Sequence, residues 1–181
     1  AGIFGEAWEG PTEADLAAMK APIDFLGVNY YTRAVVYDDP RSFPVMEGRA
    51  FQRHATHTET GWEVWPDGLY DVLTWVRRRY GSLPLYVTEN GAAFYDPPVA
   101  PGPVVDDPLR VAYLDAHLRA VRRAIAEGVD VRGYFAWSLL DNLEWAHGFR
   151  KRFGIIHVDF ATQKRTPKAS ARFYSEVIRT N

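Results

Sequence analysis

The sequence predicts an α/β fold built on a parallel β-sheet. Three short apolar runs alternate with four segments of helical periodicity, an order typical of βαβ units. Polar and aromatic residues gather where the apolar runs end, and no glycine-rich phosphate-binding pattern follows any of them. A doubly wound sheet would share the alternation. The missing glycine pattern and the polar strand ends favour a (β/α)₈ barrel, whose active sites lie at that edge of the sheet.

The first third of the chain predicts one helix, one strand and a long loop. Thr12, with an acid three residues later, predicts the N-cap of a short helix that stops at Ala21-Pro22. The mostly apolar run from Ile23 to Tyr31 predicts a parallel strand buried on both faces. A Pro-, Gly- and Thr-rich excursion from about Asp38 to Gly68 lacks sustained periodicity, with short strands expected near Val35–Tyr37.

The remaining elements alternate regularly. Apolar residues at helical spacing between Leu69 and Tyr80 predict an amphipathic helix that ends at Gly81. A strand from Leu83 to Thr88 follows, and after a Pro-rich loop Asp107-Pro108 predicts the start of a second amphipathic helix. The elements expected beyond it are a helix stop at Gly128, a buried strand over Val131–Trp137 and a last helix opened by Thr166-Pro167.

Composition narrows the function classes. With 47% hydrophobic and 24% charged residues, the chain can bury a core as one domain over residues 1–181. A net charge of -2 argues against a nucleic-acid partner, and no apolar run is long enough to cross a membrane. The absence of cysteine suits a cytoplasmic protein. The five histidines lack a tight metal-ligand spacing, so neither a metal nor another cofactor is expected.

Side chains able to do chemistry lie at the C-terminal end of each predicted strand. They are Asn29 and Tyr31, then Glu89 and Asn90, then Trp137 and Ser138, trailed by Asp141, Asn142, Glu144 and Trp145. These groups converge if the strands are parallel neighbours. Because a carboxylate at the end of a buried strand is costly unless it is partnered or useful, Glu89 is the first candidate for catalysis. Position alone leaves open a structural glutamate that pairs with an arginine or caps a helix.

Several motifs in order carry a resemblance to a known family. They are Asn29-Tyr30-Tyr31-Thr32, Thr88-Glu89-Asn90-Gly91, Trp137-Ser138-Leu139-Leu140-Asp141-Asn142, Glu144-Trp145 and Lys151-Arg152-Phe153-Gly154-Ile155. Together they resemble family 1 glycoside hydrolases, the β-glucosidase and β-galactosidase group, over nearly the whole chain. The resemblance implies a (β/α)₈ barrel that hydrolyses a terminal β-linked sugar of a β-glycoside or oligosaccharide with retention of configuration.

The resemblance also implies a role for each matched residue. Glu89 would attack the anomeric carbon, and Tyr31 would hydrogen-bond and orient it. A retaining mechanism also needs a second carboxyl, roughly 5 to 5.5 Å away. The substrate-binding residues implied are Asn29 on the pocket floor, Trp137 under the sugar ring, Glu144 and Trp145 at the outer hydroxyls, Phe153 as a wall and Trp62 at the leaving group. Each tryptophan keeps an ordinary core role as the alternative, and the comparison makes Asp141 and Asn142 structural.

The family's acid/base motif, Asn-Glu-Pro, is absent from the sequence. The three predicted strands match the last three of eight, strands 6–8, and 181 residues fall below the roughly 200 that such a barrel needs. The segment Ala1–Trp8 has no secretory-signal pattern and is interpreted as lying downstream of the true start. We therefore expect the C-terminal part of one incomplete domain, inactive until an N-terminal portion of the same enzyme completes it. The alternatives are a non-catalytic sugar-binding or scaffold fragment and a doubly wound nucleotide binder.

Overall fold

A computed structural model describes residues 10–180, and the expectation for Ala1–Trp8 lies outside the described residues. Helices and strands follow one another in the predicted alternation, with two additional hairpins. In chain order they are α1 (Glu13–Met19), β1 (Leu26–Asn29), β2 (Val36–Asp38), β3 (Glu47–Arg49), α2 (Pro66–Tyr80), β4 (Leu85–Asn90), α3 (Pro108–Ala126), β5 (Val131–Ala136), a 3₁₀ turn (Trp145–His147), β6 (Ile156–Val158), β7 (Arg165–Pro167) and α4 (Ala169–Thr180).

The described residues form two compact units. The smaller, residues 10–24 and 34–51, contains α1 and the antiparallel hairpin of β2 and β3. The predicted Thr12 cap is confirmed, because its hydroxyl accepts from the Asp15 amide at 3.2 Å while the Asp15 carboxylate accepts from the Thr12 amide at 2.9 Å. The strand expected near Val35–Tyr37 is β2.

The larger unit, residues 25–33 and 52–180, is built on a three-stranded sheet. Its order is β1-β4-β5, and both neighbouring pairs are parallel, which confirms the predicted parallel arrangement. Each connection between neighbours contains one helix, α2 between β1 and β4 and α3 between β4 and β5. The C-terminal ends of all three strands therefore lie at one edge of the sheet.

Helices α2 and α3 pack on this sheet through a continuous apolar cluster. The side chains of Leu69 and Leu73 from α2 and of Val87 from β4 are fully buried, and Val28 and Val121 join them. Gly81 and Gly128, predicted to end the two helices, both have the positive φ that favours glycine, at 84° and 88°. The predicted helix ends are thus confirmed. No helix among residues 10–180 is long and apolar enough to cross a membrane.

Four details differ from the sequence prediction. Strand β4 spans Leu85–Asn90 and not Leu83–Thr88, so Glu89 and Asn90 are its last two residues. Strand β1 is shorter than Ile23–Tyr31 and only Val28 in it is buried, because the described chain covers this sheet with helices on one face and β1 has one strand neighbour. Strand β5 is likewise only half buried. Residues Thr166-Pro167 do not open α4. They end the hairpin strand β7, whose backbone pairs with β6, and the helix begins at Ala169.

Candidate active site at the strand ends

Glu89 lies near the C-terminal end of β4, where the parallel register places it opposite Asn29 of β1. The Tyr31 hydroxyl, two residues beyond β1, donates a hydrogen bond of 2.6 Å to Glu89 Oε2. Burial raises the pKa of Tyr31, and the bond to Glu89 raises it further. The phenol therefore keeps its proton at neutral pH and remains a donor to the carboxylate.

Asn90, the residue after Glu89, ties the strand ends together from below. Its buried amide nitrogen donates to the Tyr30 carbonyl at 2.7 Å and to the Tyr113 hydroxyl at 3.0 Å, and its amide oxygen accepts from the Tyr134 hydroxyl at 2.5 Å. The Tyr113 hydroxyl in turn donates to the Tyr31 carbonyl at 3.2 Å. This network fixes the backbone on both sides of the Tyr31 to Glu89 contact.

Gly91 closes the same turn for a steric reason. A Cβ at this position would lie 1.8 Å from the carbonyl oxygen of Trp137, far inside van der Waals contact. The Trp137 amide also donates to the Asn90 carbonyl at 2.9 Å, which continues the pairing beyond β5. The peptide bond between Trp137 and Ser138 is cis. Only a residue without a side chain allows the two strand ends to approach this closely.

Glu144 is held next to Trp137 on the loop that follows β5. The Trp137 indole nitrogen donates to Glu144 Oε1 at 3.0 Å, and Glu144 is 8% exposed. Burial raises the pKa of the Glu144 carboxyl, the hydrogen bond from Trp137 opposes that rise, and the negative charge of Glu89 adds to it. The two carboxylates therefore interact electrostatically within one site.

Asp141 anchors the base of this loop. Its buried carboxylate accepts from Lys168 Nζ at 2.8 Å, from an Arg152 guanidinium nitrogen at 2.7 Å and from the amides of Gly154 and Val158 at 3.0 and 3.2 Å. With four donors around it, the carboxylate has little capacity left for substrate. These contacts agree with the structural role that the family resemblance implied for Asp141.

The anchor continues into a buried network of charges. Lys168 Nζ also donates to Asp96 Oδ2 at 2.6 Å, and Arg110 donates to Asp96 at 3.1 Å and to Asp107 at 2.6 Å. Asp107 occupies the N-cap of α3 as predicted, but its carboxylate accepts from the Ser170 amide of α4 at 2.8 Å and does not cap its own helix. The network therefore links the loops after β4 and β5 to the starts of α3 and α4.

Three aromatic rings form a wall beside Glu89. The Tyr31 and Trp62 ring centroids are 5.3 Å apart, those of Tyr31 and Phe153 6.2 Å, and those of Trp62 and Phe153 6.0 Å. Phe153 is buried, whereas Trp62 is half-buried. The Trp62 ring therefore packs on both other rings and stays partly exposed.

The structure brings together some of the predicted residues and leaves others apart. Glu89, Tyr31, Trp62 and Phe153 form one connected group, and Trp137 joins Glu144. Trp145 is 89% exposed. Asn29 is also exposed, and its side-chain oxygen accepts from the Thr88 hydroxyl at 2.6 Å.

Sequence reasoning missed the groups that hold the site in place. Tyr113 and Tyr134 look like ordinary core aromatics at apolar positions. Arg110 and Lys168 belong to residue types that are mostly exposed, so their burial could not be anticipated. The one available signal was Asn90, a second polar residue placed directly after Glu89 at the end of a strand.

Comparison with known proteins gives a consistent result. The family model described as glycosyl hydrolase family 1 matches residues 9–181. The 1,4-beta-D-glucan glucohydrolase of Thermotoga neapolitana is 48% identical over 93% of this chain and 37% of its own length. The family 1 β-glucosidase of Thermotoga maritima has a TM-score of 0.86 at 44% identity, over 92% of this chain and 37% of its own. The same enzyme in complex with glucoimidazole gives a TM-score of 0.85 with the same coverage.

Proposed function

Because this chain belongs to glycosyl hydrolase family 1, we propose that it carries the nucleophile and part of the sugar-binding site of a retaining β-glycosidase. The observation that supports this most strongly is the 2.6 Å hydrogen bond from the Tyr31 hydroxyl to Glu89 Oε2. It orients one carboxylate oxygen, and no further side-chain hydrogen bond to Glu89 occurs among residues 10–180. A nucleophile needs such an arrangement, whereas a purely structural glutamate would be expected to pair with a cation.

In the first step the free oxygen of Glu89 attacks the anomeric carbon and forms a glycosyl ester. The bond to the leaving-group oxygen breaks as that oxygen receives a proton from a second carboxylic acid. In the second step the second carboxyl group, now deprotonated, takes a proton from water. The water oxygen attacks the anomeric carbon at the same time, and the ester bond to Glu89 breaks. Tyr31 keeps the carboxyl group of Glu89 in position in both steps, since the Tyr31 hydroxyl remains protonated.

The sugar would lie between Glu89 and the loop after β5. Glu144 would accept hydrogen bonds from outer hydroxyls of the terminal sugar. Trp137 would lie under the sugar ring, and its indole nitrogen donates to Glu144 Oε1 at 3.0 Å. The exposed Trp145 would bind the same hydroxyls, and Asn29 would contribute to the floor. Phe153 closes the inner wall, and the open part of Trp62 meets the leaving group.

We propose that the second carboxylic acid lies outside this chain. The chain spans about 37% of the length of the relatives it matches, and it has no Asn-Glu-Pro motif. We propose that β1, β4 and β5 are strands 6–8 of a (β/α)₈ barrel in one incomplete domain, and that an N-terminal portion of the same enzyme supplies the other strands and the acid. The chain alone would be inactive. A cytoplasmic location stays a prediction.

Hydrolysis of an aryl β-glucoside tests this proposal. The chain alone should release no aglycone, whereas the chain combined with its N-terminal portion should release it, and proton NMR should show the β-anomer of the sugar first. Robust turnover by the chain alone would contradict the division of labour, and a first-formed α-anomer would contradict retention. A complete protein that binds the glycoside without hydrolysing it would favour the sugar-binding module instead.

A further inference from the structure

The segment that carries Trp62 is attached to the segment after β1 by a partly buried ion pair, in which Glu63 is buried and the Arg33 side chain is 33% exposed. The Arg33 guanidinium donates to Glu63 through two nitrogens, at 2.8 and 2.9 Å, in the planar bidentate geometry that arginine favours. Glu63 is 6% exposed. The guanidinium carbon also lies 3.5 Å from the centroid of the Trp65 ring, so that the ring covers the cation.

Both members of this pair lie within two residues of an aromatic residue of the wall. Arg33 is two residues after Tyr31, and Glu63 directly follows Trp62. The Thr32 hydroxyl adds a third bond between the same segments, because it donates to the Glu63 carbonyl at 2.9 Å. A shift at this connection therefore moves the backbone of Trp62 relative to Tyr31.

The other side of Trp62 is also fixed locally. The Thr58 amide donates to the Trp62 carbonyl at 2.8 Å, and the Trp62 amide donates to the Thr58 hydroxyl at 3.2 Å. Glu59 in this turn is held as well, since its amide donates to the Ala93 carbonyl at 2.9 Å and its carboxylate pairs with Lys151 at 3.2 Å. The Arg33 to Glu63 pair is the charged contact that joins the turn to the segment after β1.

We propose that Arg33 and Glu63 are positioning residues that hold Trp62 at the leaving-group side of the site and so select substrates with a flat leaving group. The inference rests on the proposed glycosidase function. Among residues 10–180 the hydrogen bonds between these two side chains leave Glu89 uninvolved. Removal of the pair should therefore weaken recognition of the leaving group and spare recognition of the sugar.

Two substrates with the same sugar separate these effects in the complete enzyme. An aryl β-glucoside presents a ring to Trp62, whereas β-glucosyl fluoride loses a single atom that cannot stack. In Arg33→Met the ratio of kcat/KM for the aryl glucoside to that for the fluoride should fall about 10- to 100-fold, the scale of loss that a displacement near 1 Å produces. Arg33→Lys, which keeps the charge without the planar fork, should show a smaller fall.

A matched control and a double variant complete the test. Arg132→Met removes an exposed arginine that pairs with Asp130 at 2.8 Å, and the ratio should not change. Trp62→Ala should lower the ratio, and adding Arg33→Met to it should lower the ratio no further, since both act through one ring.

A parallel fall of both substrates in Arg33→Met would overturn the inference, because a general loss of structure affects the two equally. Additive effects of Arg33→Met and Trp62→Ala would overturn it as well. An unaltered complete enzyme that hydrolyses neither substrate would refute the proposed function, and this inference with it. The two failures are distinguishable because the second is visible before any variant is made.

Discussion

Replacement of Gly91 by alanine tests whether the close approach of the strand ends is as tight as the structure indicates. The added Cβ would lie 1.8 Å from the Trp137 carbonyl oxygen, about 1.6 Å short of ordinary contact. Because the obstacle is backbone, no side-chain rotation relieves it. Gly91 does not have a positive φ, so strain at its own backbone adds nothing to the cost.

Overpacking of this kind costs about 1 to 3 kcal/mol, and a backbone obstacle places Gly91→Ala near the upper value. Displacement of the neighbouring Glu89 by about 1 Å should also slow hydrolysis about 100-fold. Urea unfolding and aryl glucoside kinetics of the complete protein measure the two effects. Gly102→Ala is the matched control, since no atom lies within 4 Å of its Cβ, and it should not be destabilised. If Gly91→Ala unfolds at the same urea concentration as the control, the steric reasoning is refuted.

Three further predictions concern groups that support the site. Tyr31→Phe removes a hydrogen bond to an ionised carboxylate, worth about 1.5 to 3 kcal/mol. The kcat/KM for the aryl glucoside should therefore fall about 10- to 100-fold without loss of folding. Unchanged kinetics would exclude a role of Tyr31 in positioning Glu89. Lys168→Met leaves two buried aspartates without their shared cation and should lower the free energy of unfolding in urea by about 3 to 5 kcal/mol. Replacement of the exposed Lys164 by methionine should lower it by less than about 0.5 kcal/mol. Equal losses in the two variants would contradict the buried network. The His117 ring stacks on that of Tyr113, with the ring centroids 3.9 Å apart, and burial lowers its pKa from 6.5 to about 4. The stability that neutral His117 provides is therefore complete above pH 6.5 and is lost as the pH falls toward 4, about 3 kcal/mol in all. The free energy of unfolding of His117→Gln should fall less over that pH range. An identical fall in the variant and the unaltered protein would contradict this account.

The periodicity of the chain predicted the elements that position the site. Helices α2 and α3 and the strands between them follow from apolar spacing and from Gly81 and Gly128 at the helix ends. Their parallel pairing then places Tyr31 and Glu89 at one edge, as expected from their position at the ends of apolar runs. These features depend on residues that are close together in the chain, and one sequence is therefore enough to predict them.

Contacts that join distant segments were not predictable in the same way. The short strands β6 and β7 carry only three residues each, too few for a periodic pattern. Lys168 and Asp96 are 72 residues apart, and no local signal distinguishes them from solvated charges. The half-buried state of β1 depends on which neighbours cover the sheet, a property of the assembled fold.

The central claim is that Glu89 is the nucleophile, and trapping the glycosyl ester tests it directly. The complete enzyme is treated with a 2-deoxy-2-fluoro-β-glucosyl fluoride, which slows hydrolysis of the ester, and then digested for peptide mass spectrometry. The proposal predicts a fluoroglucosyl group on the peptide that contains Thr88-Glu89-Asn90-Gly91, with fragmentation placing it on Glu89. Stoichiometric label on Glu144 or another carboxylate, or fluoride release without any label, would contradict it.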